Sequence, residues 1–274
     1  MLSFITAIYN CLDLTKAMLQ TLEATVDLSK HEVILVDDAS EPETANYLST
    51  LSSPYRVVTN PTNEGFAYSN NRAAHKAKGD VLIFLNNDLE LSPKWLEPML
   101  DLLENAPQAG LIGNVQRNHA TGLIDHAGIF FDLEGMPTHA RKNRNSLPSC
   151  SHQERNAVTA ACVAIKRSTF IDHGGFSQDY RNGMEDVDFS LRLKQAGYRH
   201  YVSYQSVIRH HISVSPGRHE HNDANAQVYR RIWPNYAKTL GQKEWHREYL
   251  ARYARHWWKF DARIFTALRL FIKS

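Results

Sequence analysis

Five consecutive apolar residues, Val81-Leu-Ile-Phe-Leu85, end abruptly in Asn86-Asn-Asp88. A run of that length without polar alternation predicts a strand buried on both faces, as a parallel sheet requires. Similar short runs cover residues 4–8, 32–36 and 55–58. Helical spacing fills the gaps between them. Residues 14–22 place Leu14, Met18, Leu19 and Leu22 on one face, residues 42–51 follow Ser40 as an N-cap, and residues 65–78 stop at Gly79. After the fourth strand, Ser92 and Pro93 predict a helix start running to Glu104. This alternation predicts an α/β fold, a mostly parallel mixed sheet flanked by helices. Ligands on such sheets bind beyond the carboxyl ends of the strands. The polar strand ends Tyr9-Asn10, Asp37-Asp38 and Asn86-Asn87-Asp88 are therefore expected to converge on one crevice.

The second half is less regular. Residues 111–115, 128–131 and 157–165 read as strands of mixed orientation, and residues 139–155, polar and basic, as a mobile loop. A helix is predicted over 185–196, closed by Gly197, and a strand over 202–208. From Asn222 onward the pattern is helical and rich in aromatics. The chain divides on this reading into a domain at 1–217, with halves meeting near 115, and a helical extension at 218–274.

With 274 residues the chain can bury a full core. A formal charge of +2 argues against a nucleic-acid binder. The three cysteines lack metal-site spacing and form no disulfide framework, which fits a reducing cytoplasm. No signal peptide or membrane-spanning stretch is expected, and no GxGxxG follows a strand.

Each polar cluster has an ordinary structural use. Asn86-Asn87-Asp88 suits a turn, and Asp88 also suits a hard divalent cation, Mn2+ or Mg2+. Asp37 and Asp38 suit a capping loop, or hydrogen bonds from a base and ribose. Glu185, Asp186 and Asp188 open a helix, where its dipole favours them, or one faces the crevice as a general base. Val187, Leu191 and Leu193 make that helix amphipathic, so the three carboxylates cannot all point one way. His210 and His211 end a strand and could join a metal site.

Read in order, the clusters resemble the family-two inverting glycosyltransferases of the GT-A fold. Ser3-Phe-Ile-Thr-Ala-Ile-Tyr-Asn10 is similar to that family's first strand, and Val36-Asp-Asp-Ala-Ser40 to its second-strand motif. Asn63-Glu-Gly-Phe-Ala-Tyr-Ser-Asn-Asn71 resembles a segment of the rhamnosyltransferase-like branch. Gly79 to Asp88 resembles the run into the metal motif, with Asn86, a weaker ligand, where many members carry Asp. Gly174-Gly-Phe176, Glu185-Asp-Val-Asp-Phe-Ser-Leu-Arg192 and Gly197-Tyr198 resemble the acceptor block. Val207-Ile-Arg-His210, with Ser215 after it, resembles the late histidine motif. The likeness spans roughly residues 2–215.

The resemblance implies transfer of a sugar, with inversion, from a UDP-sugar or dTDP-rhamnose to a glycan or lipid-linked acceptor, in cell-surface polysaccharide synthesis. Asp88 would hold the metal, with His210 rather than His211 as a second ligand. Asp186, or Glu185 in its place, would be the base. Thr6, Ala7, Tyr9, Asn10, Asp37, Asp38, Asn71, Arg72, Asn86 and Asn87 would hold the nucleotide. The rivals are a sugar nucleotidyltransferase, which lacks its Gly-rich cationic loop here, and a binding module with a weakened metal site. Tyr249, Tyr253, His256, Trp257, Phe260, Ile264, Leu268 and Phe271 recur at helical spacing, widened by Trp258, Phe265 and Leu270 and interleaved with Arg252, Arg255, Lys259, Arg263, Arg269 and Lys273. Such a helix packs on the domain or on a second copy, or lies on the inner face of the cell membrane.

Overall fold

The computed structural model describes residues 1–212, 220–253, 258 and 261–273. In chain order its elements are β1 (Leu2–Ile8), α1 (Leu12–Thr25), β2 (Glu32–Asp37), α2 (Pro42–Thr50), β3 (Tyr55–Thr59), α3 (Gly65–Lys76), β4 (Val81–Leu85), β5 (Leu89–Glu90), α4 (Glu97–Asn105) and β6 (Ala109–Asn118). There follow β7 (Ile124–His126), β8 (Ile129–Phe131), β9 (Pro137–His139), β10 (His152–Arg155), β11 (Cys162–Lys166), α5 (Arg167–Asp172), α6 (Glu185–Gln195), β12 (Arg199–His210), α7 (Asn222–Ile232), α8 (Tyr236–Tyr253) and α9 (Arg263–Lys273).

The main sheet runs β10-β12-β6-β11-β4-β1-β2-β3. Strands β3, β2, β1 and β4 are mutually parallel, β11 is inserted antiparallel between β4 and β6, and β12 lies parallel to β6. The unbroken apolar runs are explained by burial on both faces. Phe4, Val33, Leu35 and Ile83 enter one core, while Ile5, Ile34, Val36 and Phe84 enter the other. Each such side chain, removed from water, contributes about 1.5–3 kcal/mol. A third cluster, with Phe131, Tyr180, Leu191, Tyr229 and Trp233, joins the β8 segment and α6 to α7 and α8. Gly241 permits that packing, because a Cβ there would lie 1.9 Å from the Asp132 carbonyl oxygen.

Several sequence expectations need correction. Helix α4 starts at Glu97, and Ser92 does not cap it. Leu91, Trp95 and Leu96 instead enter the core, with Trp95 Nε1 donating to Thr25 Oγ1. Ser40 does not cap α2 either; Glu41 occupies that position, and Ser40 Oγ accepts from the Asn10 amide, tying the β1 and β2 ends together.

Residues 139–155 are not a structureless loop. Ile124 exchanges backbone hydrogen bonds with Asn143 and Arg144, and β10 adds an edge strand to β12. Its exposed polar residues hid it from hydrophobic patterning. Arg155 at its end is buried against Glu248 of α8. Of residues 157–165, only 162–165 are strand: Ala157 and Val158 are buried in the core, and Thr159, Ala160 and Ala161 line the crevice.

Among the described residues the aromatic stripe falls on two helices, α8 and α9, packed on each other. Phe265, Leu268, Phe271 and Ile272 are exposed on α9. Arg255, His256, Trp257, Lys259, Phe260, Ser215 and the expected boundary at 217/218 lie outside the described residues. No described helix is long and apolar enough to cross a membrane.

Candidate active site

The carboxyl ends of β1, β2 and β4 open into a cavity of about 680 Å³. Its wall includes Ala7, Ile8, Tyr9, Asp38, Asn86, Asn87 and Asp88 from those ends, Glu185 and Asp186 from the start of α6, and His210 from the end of β12. Parallel strands bring their carboxyl ends to one edge, and the reversed β11 leaves β12 running toward that same edge. Residues separated by more than a hundred positions meet there for that reason.

Asp88 is buried, yet its Oδ1 makes no hydrogen bond. It lies 3.1 Å from His210 Nε2. On the other side of the ring, Nδ1 sits 3.1 Å from Gln116 Oε1. A proton on Nδ1 therefore leaves an Nε2 lone pair facing a carboxylate oxygen. Two acceptors at that distance require a proton or a cation between them. Burial raises the Asp88 carboxyl pKa, but His210, and then His211, lower it by more, so it lies below its ordinary value. An outer partner such as Gln116 that orients a histidine is a recurring feature of metal sites.

The three carboxylates of α6 separate by role. Asp188 points inward, accepting from Trp233 Nε1 at 2.9 Å and from Arg192 Nε at 2.8 Å, and so anchors α7. Glu185 accepts from the Gly183 amide at 2.6 Å and is buried. Asp186, half-buried on the cavity wall, accepts from the Ala160 and Val187 amides at 3.1 and 2.8 Å. These two amides fix the carboxylate's orientation at the cavity surface.

Other expected site residues are placed elsewhere. Asp38 borders the cavity, but its Oδ1 accepts from Asn60 and from the Glu64 amide, and its Oδ2 from the Gly65 amide. Asp37 Oδ1 holds the Ser40 amide. Thr6 is buried, and neither it nor Asp37, Asn10, Asn71 or Arg72 borders the cavity. Asn10 holds the Glu41 amide, Asn71 clamps both backbone groups of Phe176, and Arg72 bonds Thr59 and Asn60. Loop stitching uses these side chains, since a crevice wall made of turns needs its backbone groups satisfied.

Sequence reading missed much of the far wall. Gln116, Asp125, His139, Lys142 and Asn182 line it, as do Asn222, Asp223 and Asn225 of α7. Asp125 lies 3.4 Å from His139 Nδ1 and 3.3 Å from Lys142 Nζ. Burial works to raise its pKa, but His139 and Lys142 outweigh it and hold the carboxyl well below the usual range. Asp125 and His139 sit on the three-residue strands β7 and β9, and Lys142 on the turn after them, too short to give a periodic signal. The clue available was the basic character of residues 139–155, which supply His139 and Lys142.

The fold is of the GT-A type. A GalNAc transferase crystallised with UDP, GalNAc and Mn2+ superposes with a TM-score of 0.68 over 85% of this chain and 48% of its own, at 16% identity. The family model for glycosyl transferase family 2 matches residues 3–173, and the chain belongs to that family. An O-antigen biosynthesis protein of Myxococcus xanthus is 32% identical over 82% of this chain, which spans only 18% of that protein. An N-acetylglucosaminyl-diphospho-decaprenol L-rhamnosyltransferase of Mycobacterium tuberculosis is 26% identical over 68% of each chain.

Proposed function

We propose that the chain is an inverting glycosyltransferase that moves a sugar from a nucleotide-diphosphate donor to a hydroxyl of a glycan or lipid-linked acceptor. One observation carries this reading: the Asp88–His210 pair and the Asp186 carboxylate line the same cavity. The buried, unbonded Asp88 Oδ1 facing His210 suits a divalent cation, for which these two residues would be the protein ligands. Bound there, a cation would neutralise the diphosphate leaving group. Asn86 adds an amide oxygen at most, so substrate phosphates complete the ligand set.

Asp186 takes the proton of the acceptor hydroxyl as that oxygen attacks the anomeric carbon. Its two backbone donors keep it aimed. Ala7, Ile8 and Tyr9 at the end of β1 form the wall on which the nucleotide rests. The far wall, with Asp125, His139 and Lys142, lies on the acceptor side, where α7 also contributes. Transfer is direct, and no nucleophilic side chain is required.

The Mycobacterium relative's name supports an L-rhamnosyl donor and a lipid diphosphate as acceptor. The Myxococcus relative's name supports cell-surface polysaccharide synthesis. The test is turnover of a nucleotide-sugar panel by the full chain, with Mn2+, Mg2+ or chelator, against a lipid-linked N-acetylglucosamine diphosphate. Metal-dependent transfer from dTDP-rhamnose is expected. Binding of donors without hydrolysis or transfer would overturn the enzymatic reading in favour of a binding module.

A further inference from the structure

Beside the cavity, but outside its lining, three more metal-binding side chains meet. Glu90 ends β5, His119 follows β6 and His211 follows β12. Glu90 Oε1 lies 2.9 Å from His119 Nδ1 and 3.2 Å from His211 Nε2. The two imidazoles stack, with centroids 3.9 Å apart and planes 19° from parallel. One ligand atom from each of the three residues lies within 4.8 Å of the other two.

The backbone holds this arrangement. The His119 amide donates to the His210 carbonyl, and the His211 amide donates to the Asp88 carbonyl. Glu90 pairs with Arg209 across the β5–β12 ladder. His119 Nδ1 is shielded from solvent and makes no hydrogen bond, despite its closeness to Glu90.

We propose that Glu90, His119 and His211 bind one divalent transition-metal ion, Zn2+ in preference to Mg2+ or Mn2+. Imidazole nitrogens select zinc-like ions, whereas carboxylate, carbonyl and water oxygens suit magnesium and manganese. Ligands placed tetrahedrally at ~2.0–2.1 Å from zinc lie roughly 3.3 Å from one another. The spacings of 2.9 and 3.2 Å are close to that, but each nitrogen lone pair lies in its ring plane, so the stacked imidazoles must turn away from near-parallel for both to point at one ion. Partial exposure of all three residues leaves a fourth position for water. A cation there pins together the ends of β5, β6 and β12, the same strand ends that carry Asp88 and His210. The proposal concerns binding only and stands whether or not the chain transfers sugar.

Metal-free full-length protein is titrated with Zn2+ against a chromophoric chelator, and with Co2+ followed by its visible spectrum. One Zn2+ per chain is expected at this site, retained in Asp88→Asn. His119→Ala and His211→Ala should each weaken it by more than the ~10–100-fold that loss of an outer-shell partner costs. Co2+ bands should vanish in the same two variants. His119→Asn, at a half-exposed position, should keep the metal-free thermal midpoint and serves if an alanine variant misfolds. Unchanged Zn2+ affinity in both histidine variants overturns the site. Loss of Zn2+ in Asp88→Asn alone also overturns it, by moving the ion to the cavity pair.

Discussion

The ends of β2 and β4 are nearly the same in sequence, each an apolar run closed by aspartate, yet they do opposite work. Asp38, after β2, is saturated: three donors occupy its two oxygens, and it fixes the start of α3. Asp88, after β4, keeps an oxygen without a hydrogen bond and turned toward an imidazole. A carboxylate whose acceptors are already used stabilises the fold, whereas one left open can take a ligand. Hydrogen-bond accounting separates the two where sequence pattern does not.

The sharpest test is Asp88→Asn, which should abolish metal-dependent nucleotide binding while leaving the thermal midpoint near that of the parent. Calorimetry with dTDP and Mn2+ checks this, and undiminished affinity would break the contrast. Asp186 is an intermediate case, oriented by two amides yet facing the cavity. Asp186→Asn should lower kcat by ~10²–10⁴-fold, the usual contribution of a general base, with donor binding retained. If Glu185→Gln is instead the dead variant, the base is Glu185.

Gln116 extends the comparison one residue outward. Gln116→Leu removes the partner of His210 Nδ1 and should weaken Mn2+ binding ~10–100-fold, measured by titration. Asp38→Asn should act in the other sense. An amide cannot accept from all three donors, so denaturant unfolding should show a loss of at least ~1.5–3 kcal/mol, that of one hydrogen bond to a charged group. Its metal affinity should be unchanged.

A further effect concerns pH. Burial pushes the His200 pKa down to about 4 from its ordinary 6.5, and the neutral ring links α6 to the sheet through the Ser190 carbonyl and the Leu111 amide. Because the folded pKa is depressed, its contribution is complete above pH 6.5. It is lost as pH falls from about 6.5 toward 4, where the unfolded chain binds the proton first. Thermal midpoints of His200→Gln should fall less steeply across that window than those of the parent.

The parallel strands and most of their helices were legible because central strands carry an apolar signature that no surface element shares. Residues 81–88 alone placed a buried strand and a polar end at the crevice. The resemblance brought Asp88, Asp186 and His210 forward together. The roles of Asn10, Asn71 and Arg72 were not legible, since a polar side chain that stitches loops has the same sequence appearance as one that binds nucleotide. The far wall was missed because edge strands with exposed polar residues have no periodicity to detect.

What the sequence determined by itself was the layered α/β frame and the order of its polar strand ends, since burial on both faces leaves five apolar residues few alternatives. Tertiary structure decided which carboxylates remain open. Asp38 and Asp88 differ not in their own chemistry but in the partners that distant segments bring to them: the amide donors of the turn before α3 for one, and the His210 imidazole at the end of β12, more than a hundred residues away, for the other.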